Sequence, residues 1–154
     1  MSQGTYAKLV PTQNTSQKIA TMMQLLNIEN SVSANDLHVT IVYSRKECNN
    51  ISAHAIDLPI KGNGAQFGYF KNKDGTTCLV LHINSEDMHS LHQRCRDQGA
   101  EHDYDTFSPH ITLSYDYDLR RPALGTNWLE YFSSMVFDQF IVEPLELNWE
   151  PENA

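Results

Sequence analysis

The sequence predicts an α+β domain that contains the same strand–helix–strand unit twice. The first observation is a repeated phrase, LHVTIVYS at Leu37–Ser44 and PHITLSYD at Pro109–Asp116, with His-x-Thr inside an apolar, β-branched run. The second is that a strand pattern and a helical pattern precede each phrase. The third is that matching positions of the two units are separated by the same number of residues, the number that separates His38 from His110. This separation is called the repeat offset here.

Length and composition predict one globular domain over residues 1–154, since 40% of the residues are apolar. The opening MSQGTYAKLVPTQ lacks the apolar core of a secretory signal, and no apolar run approaches the roughly 20 residues that span a bilayer. Cys48, Cys78 and Cys95 are scattered and show no CxxC spacing, which favours reduced thiols and a cytoplasmic location.

The charge balance argues against a protein that grips long nucleic acids. Nineteen acidic residues face eleven basic ones, and the net charge is −8. Binding to long nucleic acids is driven by a basic surface that neutralises phosphates. A small phosphate ligand held in a pocket remains compatible with this composition.

The first unit begins with a strand over Thr5–Pro11, which proline ends. Asn14, Thr15 or Ser16 is expected to cap a helix that runs to about Ile28. The apolar positions of this helix follow the i, i+3, i+4, i+7 pattern: Ile19, Met22, Met23 and Leu26. A loop and the strand LHVTIVYS follow.

The middle of the chain predicts two strands, over residues 51–60 and 65–72, separated by KGNG. Asp74-Gly75 predicts a hairpin turn into a strand over Cys78–Ile83. Ser85 is expected to cap the second helix and Gly99 to end it. After the strand at HITLSYD, the C-terminal part predicts a short helix or turn and one or two strands.

The two units match at positions other than the repeated phrase. The repeat offset relates the following pairs: Thr5 and Thr77, Ile19 and Leu91, Met23 and Cys95, His38 and His110. The repeat therefore covers about 5–44 and 77–116, and predicts a pseudo-two-fold domain rather than a solenoid.

The His-x-Thr pairs predict an active site. Residues i and i+2 of a strand share a face, so His38 points with Thr40 and His110 with Thr112, whereas Val39 and Ile111 face the core. One imidazole can act as general base while the other, protonated, acts as general acid. The two hydroxyls can donate to phosphate oxygens. This set suits cleavage of a ribonucleotide phosphodiester and requires no metal.

Other readings of the same residues remain open. The two histidines could be strand residues satisfied by nearby hydroxyls, without catalysis. Tyr43 and Tyr115 follow the histidines by five positions, so strict alternation places them on the opposite face, in packing roles. His89 and His92 have i, i+3 spacing but no evident third ligand, so no metal site is expected.

These motifs and the duplicated units resemble the 2H phosphoesterase superfamily. The resemblance implies two antiparallel sheets around a central cleft, with helices outside. Carried over by position, it implies that His38 and His110 are the acid and base and that Thr40 and Thr112 bind the phosphate.

Within that superfamily the chain is similar to the phage anti-CBASS protein 1 group, on the stretches TYAKLV, HAIDLPIKGNGAQFGYF and FIVEPLELNWEP. The resemblance implies that Tyr6, Glu143 and Trp149 contact nucleotide bases. Each has a plainer alternative: Tyr6 packs within its strand, Glu143 is a solvated charge, and Trp149 caps the core.

The resemblance implies an enzyme that degrades cyclic di- and trinucleotide signals in the host bacterial cytoplasm. We expect a monomer without cofactor, with no membrane or long nucleic acid as partner. Two alternatives remain. A 2H enzyme could act on RNA 2′,3′-cyclic phosphates or on 2′-5′ oligoadenylate. A non-catalytic protein could sequester nucleotides.

Overall fold

The computed structural model describes residues 4–48, 51, 56–101, 106–121 and 124–145. Six strands lie within them: β1 (Gly4–Pro11), β2 (Val39–Ser44), β3 (Ile60–Lys71), β4 (Thr77–Asn84), β5 (His110–Ser114) and β6 (Met135–Leu145). Three α-helices accompany them: α1 (Gln13–Leu25), α2 (Glu86–Asp97) and α3 (Asn127–Tyr131), with a short 3₁₀ turn at Ala34–Asp36. The α+β class is confirmed.

The six strands pair antiparallel in a closed ring, in the order β1-β2-β5-β4-β3-β6. The ring has two halves of three strands, β6-β1-β2 and β5-β4-β3, which correspond to the two predicted sheets. One pair of described residues, Val39 with Ile111, joins the halves on one side. A short pairing of β3 with β6 joins them on the other. The expected pair of sheets is therefore one continuous ring.

The repeat extends to the strand register. In the first half, Lys8 pairs with Thr40 and Leu9 with Val39. In the second half, the residues related by the repeat offset pair in the same way, Val80 with Thr112 and Leu81 with Ile111. Each half also has an irregularity at the same place, between Ala7 and Lys8 and between Leu79 and Val80. The two units therefore share their backbone pairing as well as their sequence pattern.

The helices begin and end at residues that polar capping explains. Thr12, not Asn14, Thr15 or Ser16, is the N-cap of α1, and its hydroxyl accepts from the Thr15 amide at 3.2 Å. The expected caps lie inside the helix, which ends at Leu25. Ser85 caps α2 as predicted. No helix among the described residues is long and apolar enough to cross a membrane.

Strand β3 differs from its prediction, because it runs without a break through KGNG. Gly62 packs so closely against the neighbouring strand that an added Cβ would lie 2.7 Å from Ile83 Cγ2. Glycine here permits close strand approach rather than a turn. Residues 52–55 of the other predicted strand lie outside the described residues. The Asp74-Gly75 turn is confirmed, with Gly75 at φ +90°.

The core holds one face of the ring against α1 and α2. Ile19 and Met23 of α1 are buried, as are their repeat partners Leu91 and Cys95 of α2. Fully buried strand residues complete this core, among them Ala7, Leu9, Val39, Ile41, Leu79, Leu81 and Ile111. The opposite face, called the cleft face here, carries His38, Thr40, His110 and Thr112.

The position of the α1 cap can be tested by substitution. Thr12→Ala removes the acceptor of the Thr15 amide and is expected to lower the free energy of unfolding by about 1 kcal/mol. Asn14→Ala, at an exposed position within the helix, is expected to leave stability unchanged or raise it by up to about 0.7 kcal/mol. Urea unfolding followed by circular dichroism measures both. Equal losses in the two variants would contradict this assignment.

Candidate active site

The antiparallel pairing of β2 with β5 brings the two His-x-Thr motifs together. Val39 and Ile111, the middle residues, are paired and both fully buried. Because the two strands run antiparallel, His38 lies opposite Thr112 and His110 lies opposite Thr40 on the cleft face. The two histidines then occupy diagonal positions, which are about 7–8 Å apart in such a pairing. The threonine hydroxyls lie between them, and both threonines are more than nine-tenths buried.

Both imidazoles are held by the backbone in the same way. His38 donates from Nδ1 to the carbonyl oxygen of Asp36 at 2.8 Å. His110 donates from Nδ1 to the carbonyl oxygen of Ser108, also at 2.8 Å. A carbonyl can only accept, so Nδ1 carries the hydrogen and Nε2 carries the lone pair of the neutral ring. Each histidine is therefore oriented to exchange a proton at Nε2.

The surroundings of His38 disfavour its protonated form. Burial lowers the pKa of His38 below its ordinary value of 6.5, and the positive charges of Lys8 and His110 lower it further. Its contact with the Asp36 carbonyl opposes this shift. His38 is therefore favoured in the neutral form, in which Nε2 can accept a proton.

Tyr6 lies in the site beside His38 and Thr40. Its hydroxyl is 2.9 Å from Thr40 Oγ1, and its ring packs edge-on against the His38 ring at 6.3 Å between centroids. Burial raises the pKa of Tyr6 to about 12, so its phenol keeps its proton at neutral pH. Tyr6 can thus hold the Thr40 hydroxyl or donate to a ligand oxygen.

Glu143 and Lys8 lie next to Tyr6 on the cleft face. Glu143 of β6 is the register partner of Tyr6, and Oε1 is 3.8 Å from Lys8 Nζ. Lys8 follows Tyr6 by two residues in β1, and its ammonium lies 5.9 Å from the Tyr6 ring centroid. Sequence reasoning missed Lys8, although the strand period places it on the face of Tyr6. Trp149 lies outside the described residues.

The expectation that Tyr43 and Tyr115 lie opposite the histidines is wrong. In β2, Ala7 pairs with Val42 and Lys8 with Thr40, so Ile41 is an extra residue that reverses the alternation. Tyr43 consequently pairs with Tyr6, and their rings are 6.0 Å apart. The matching irregularity in β5 acts in the same way on Tyr115, which lines a cavity with His38 and Lys8.

A different set of side chains surrounds His110. His82 of β4 is its register partner, and the two ring centroids are 6.1 Å apart. Phe70 of β3 packs against both rings, at 5.1 Å from His110 and 5.8 Å from His82. Burial and the charge of His110 lower the pKa of His82. Sequence reasoning left Phe70 and His82 aside because neither belongs to the repeated phrase.

The histidine pair of α2 has a structural role at His92. Its Nδ1 donates to the Ile41 carbonyl oxygen at 2.7 Å, and its ring stacks on Phe107 at 4.1 Å. His89 packs edge-on against the same phenylalanine. Within the described ranges, no group of three or more His, Cys, Asp or Glu side chains has the geometry of a metal site.

A family model, that of the anti-CBASS protein Acb1, matches residues 3–152 of the chain. The chain belongs to the Acb1 family. An Acb1 protein of Vibrio phage KVP40 is 29% identical over 99% of this chain and 94% of its own length. Acb1 proteins of Salmonella phage S16 and Enterobacteria phage T4 are each 31% identical, over 96% of this chain and 92% of theirs.

Solved structures share the fold of this chain. E. coli LigT complexed with ATP aligns with a TM-score of 0.61 at 18% identity, over 92% of this chain and 86% of LigT. A crystal structure described as a phosphoesterase aligns with a TM-score of 0.60 at 15% identity, over 94% of this chain and 88% of its own. The resemblance to the Acb1 group is confirmed, and the predicted fold agrees with that of these two structures.

The electrostatic link between Lys8 and His38 can be tested by NMR. The pKa of His38 is expected below 6.5, and Lys8→Met is expected to raise it, because it removes a positive charge that disfavours the imidazolium. Lys46→Met removes the same charge from an exposed position after β2 and serves as the control. A pH titration of the His38 ring resonances measures the shift. Equal values in the wild type and Lys8→Met would contradict the link.

Proposed function

We propose that this protein is a metal-independent phosphodiesterase that opens cyclic di- and trinucleotide signals such as 3′,3′-cyclic GMP-AMP. By removing such signals in the bacterial cytoplasm, it would let a phage evade CBASS defence. The observation that carries the proposal is the pair of imidazoles, each held at Nδ1 and set diagonally across the β2–β5 pairing. Membership of the Acb1 family supports the biological role.

In the first step, His38 acts as the base. Its Nε2 takes the proton of the ribose 2′-hydroxyl, and that oxygen attacks the adjacent phosphorus. The bond from phosphorus to the 5′-oxygen breaks, and protonated His110 gives its Nε2 proton to the leaving oxygen. The product is a linear nucleotide that ends in a 2′,3′-cyclic phosphate. A general base must start in its neutral form, and burial, together with the charges of Lys8 and His110, lowers the pKa of His38 and favours that form.

A second step can open the cyclic phosphate with the roles exchanged. His110, now neutral, takes a proton from water, whose oxygen attacks phosphorus. His38, now protonated, gives its proton to the departing 2′-oxygen. Both histidines return to their starting states, so the pair completes a full cycle without a cofactor.

The threonines are suited to hold the phosphate between the histidines. Thr40 and Thr112 lie opposite His110 and His38 in the β2–β5 pairing. There their hydroxyls can donate to the non-bridging phosphate oxygens on which charge builds up. Tyr6 contacts Thr40 at 2.9 Å and restricts its rotation. Because these donors are largely buried, their interaction with the phosphate is strengthened by a low local dielectric.

The bases of the substrate are proposed to bind at Tyr6, Glu143 and Trp149. The ring of Tyr6 offers an edge or face to a purine, and such stacking contributes about 1–3 kcal/mol per base. Glu143 is half exposed beside it and can accept from an exocyclic amine. Solved LigT structures complexed with ATP and with 3′-AMP show that a protein of this fold holds nucleotides.

The acid/base pair predicts two separate losses of activity. His38→Gln and His110→Gln are each expected to lower kcat by about 10²–10⁴-fold, because either loss removes one proton transfer. A cyclic dinucleotide with hydrogen in place of the 2′-hydroxyls is expected to resist the wild type. Assays with 3′,3′-cyclic GMP-AMP in EDTA, with products analysed by mass, measure both effects. His89→Gln, at an exposed position of α2, is the matched control and should keep full activity.

The same assay separates the rival functions. Substrates would include cyclic di-GMP, 2′-5′ oligoadenylate and an RNA with a 2′,3′-cyclic phosphate end. Preference for either of the last two would favour a 2H enzyme of another specificity. Tight binding of 3′,3′-cyclic GMP-AMP without turnover would favour a nucleotide sponge. Normal cleavage of the 2′-deoxy substrate would refute the mechanism.

The role of Thr40 predicts a graded response. Thr40→Val keeps the shape of the side chain but removes the donor, and is expected to lower kcat by about 10²-fold. Thr40→Ser keeps the donor and is expected to stay within about tenfold of the wild type. Steady-state kinetics and thermal unfolding together check that activity falls without loss of the fold. Equal losses in both variants would indicate packing rather than phosphate binding.

A further inference from the structure

A cavity of about 460 Å³ opens beside His38. Its size falls within the range of roughly 300–1,000 Å³ that small-molecule sites occupy. Lys8 and Tyr115 line it, together with the segment that leads from α1 to β2. Besides His38, the polar residues of its wall are Lys8, Ser31, Ser33, Asn35, Asp36 and Tyr115. None of these six side chains transfers a proton in the step proposed above, although the Asp36 carbonyl holds His38 and the charge of Lys8 lowers its pKa.

Lys8 gives this cavity its positive charge. The side chain is 26% exposed, and Nζ is 3.8 Å from Glu143 Oε1, which is too long for a hydrogen bond. The three N–H donors of the ammonium are therefore not committed to Glu143. Asp36, which carries a negative charge, also lines the cavity, so an anion is favoured near Lys8 rather than throughout the site.

Lys8 has no cationic counterpart at the equivalent position of the second half. The repeat offset relates Lys8 to Val80, and both occupy the same register position, opposite the motif threonines Thr40 and Thr112. The histidines and threonines are duplicated, whereas the ammonium is replaced by an apolar side chain. A ligand with a second negative charge thus gains an interaction on the His38 side that the His110 side lacks.

We infer that this cavity binds the nucleotide that carries the second, non-scissile phosphate of a cyclic dinucleotide. Lys8 donates to that phosphate, and Ser31, Ser33 and Asn35 face its nucleoside. This inference rests on the proposed function, because it names how the same site selects a substrate with two phosphodiesters over one with a single phosphodiester. The cavity also orients the substrate, since the second phosphate lies beside His38, the proposed general base.

Binding of two non-cleavable ligands tests the site. Cyclic di-2′-deoxyadenylate has two phosphates, whereas the linear dinucleoside monophosphate of deoxyadenosine has one, and neither has the attacking hydroxyl. Calorimetry at pH 8, where His38 is neutral in every variant, measures both. Lys8→Met is expected to weaken the cyclic ligand about tenfold, as for loss of one charge-assisted hydrogen bond. Binding of the linear ligand should change by less than about twofold.

Two further variants control for charge and for folding. Lys8→Arg keeps the cation and should keep the affinity for the cyclic ligand within about threefold. Lys46→Met removes a lysine from the exposed surface and should leave both affinities unchanged. Thermal unfolding of each variant confirms that the fold is intact.

The outcomes separate this inference from the proposed function. Equal weakening of both ligands by Lys8→Met, or of neither, would overturn the second-phosphate site, as would failure of the wild type to bind the cyclic ligand. Selective weakening combined with no cleavage of cyclic di-adenylate would support the site and overturn the proposed catalysis. Selective weakening combined with cleavage would support both.

Discussion

The pairing of Val39 with Ile111 is the contact on which the candidate active site depends. Among the described residues it is the single register pair between β2 and β5, and both side chains are fully buried in the core. On the other face of the same two strands, it sets the positions of the four motif residues. A shift of one residue would turn the histidines toward the core, because successive side chains of a strand alternate between faces. The hydrophobic core therefore determines the geometry of the candidate site.

The backbone also determines the chemistry of the imidazoles. Both Nδ1 atoms donate to the carbonyl two residues earlier, at Asp36 and Ser108. The side chains of those two residues take no part in these contacts, so the tautomer follows from chain conformation rather than from a neighbouring carboxylate. A duplicated backbone thus produces two imidazoles that can each act as acid or as base. Positions that are not duplicated, such as Lys8 opposed to Val80, make the surroundings of the two imidazoles differ.

Sequence reasoning succeeded where a property repeats along the chain. The repeat offset predicted the matching helices and the two-strand motif, and the strand period predicted that His38 and Thr40 share a face. It failed at the β-bulges, since one extra residue at Ile41 reverses the alternation and brings Tyr43 to Tyr6. It also could not identify the Asp36 and Ser108 carbonyls, because every residue has a carbonyl and only the folded chain selects one. The glycines of KGNG in β3 led to the wrong prediction of a break in the strand, since close strand approach and a turn both favour glycine.

The charge distribution links the site to the kind of substrate it can take. The chain carries a net charge of −8, so a long polyanion would meet repulsion over most of its length. Lys8 acts only at short range, because salt screens exposed charges beyond about 8 Å at physiological ionic strength. Under the second-phosphate proposal, a compact dianion held in the cleft gains the attraction of Lys8 and largely escapes the acidic surface. Under the proposed function, size and charge favour small cyclic nucleotides over RNA. Burial is the main cause of the lowered pKa of His38 and the charge of Lys8 adds to it, so the second-phosphate proposal and the proposed base share one residue.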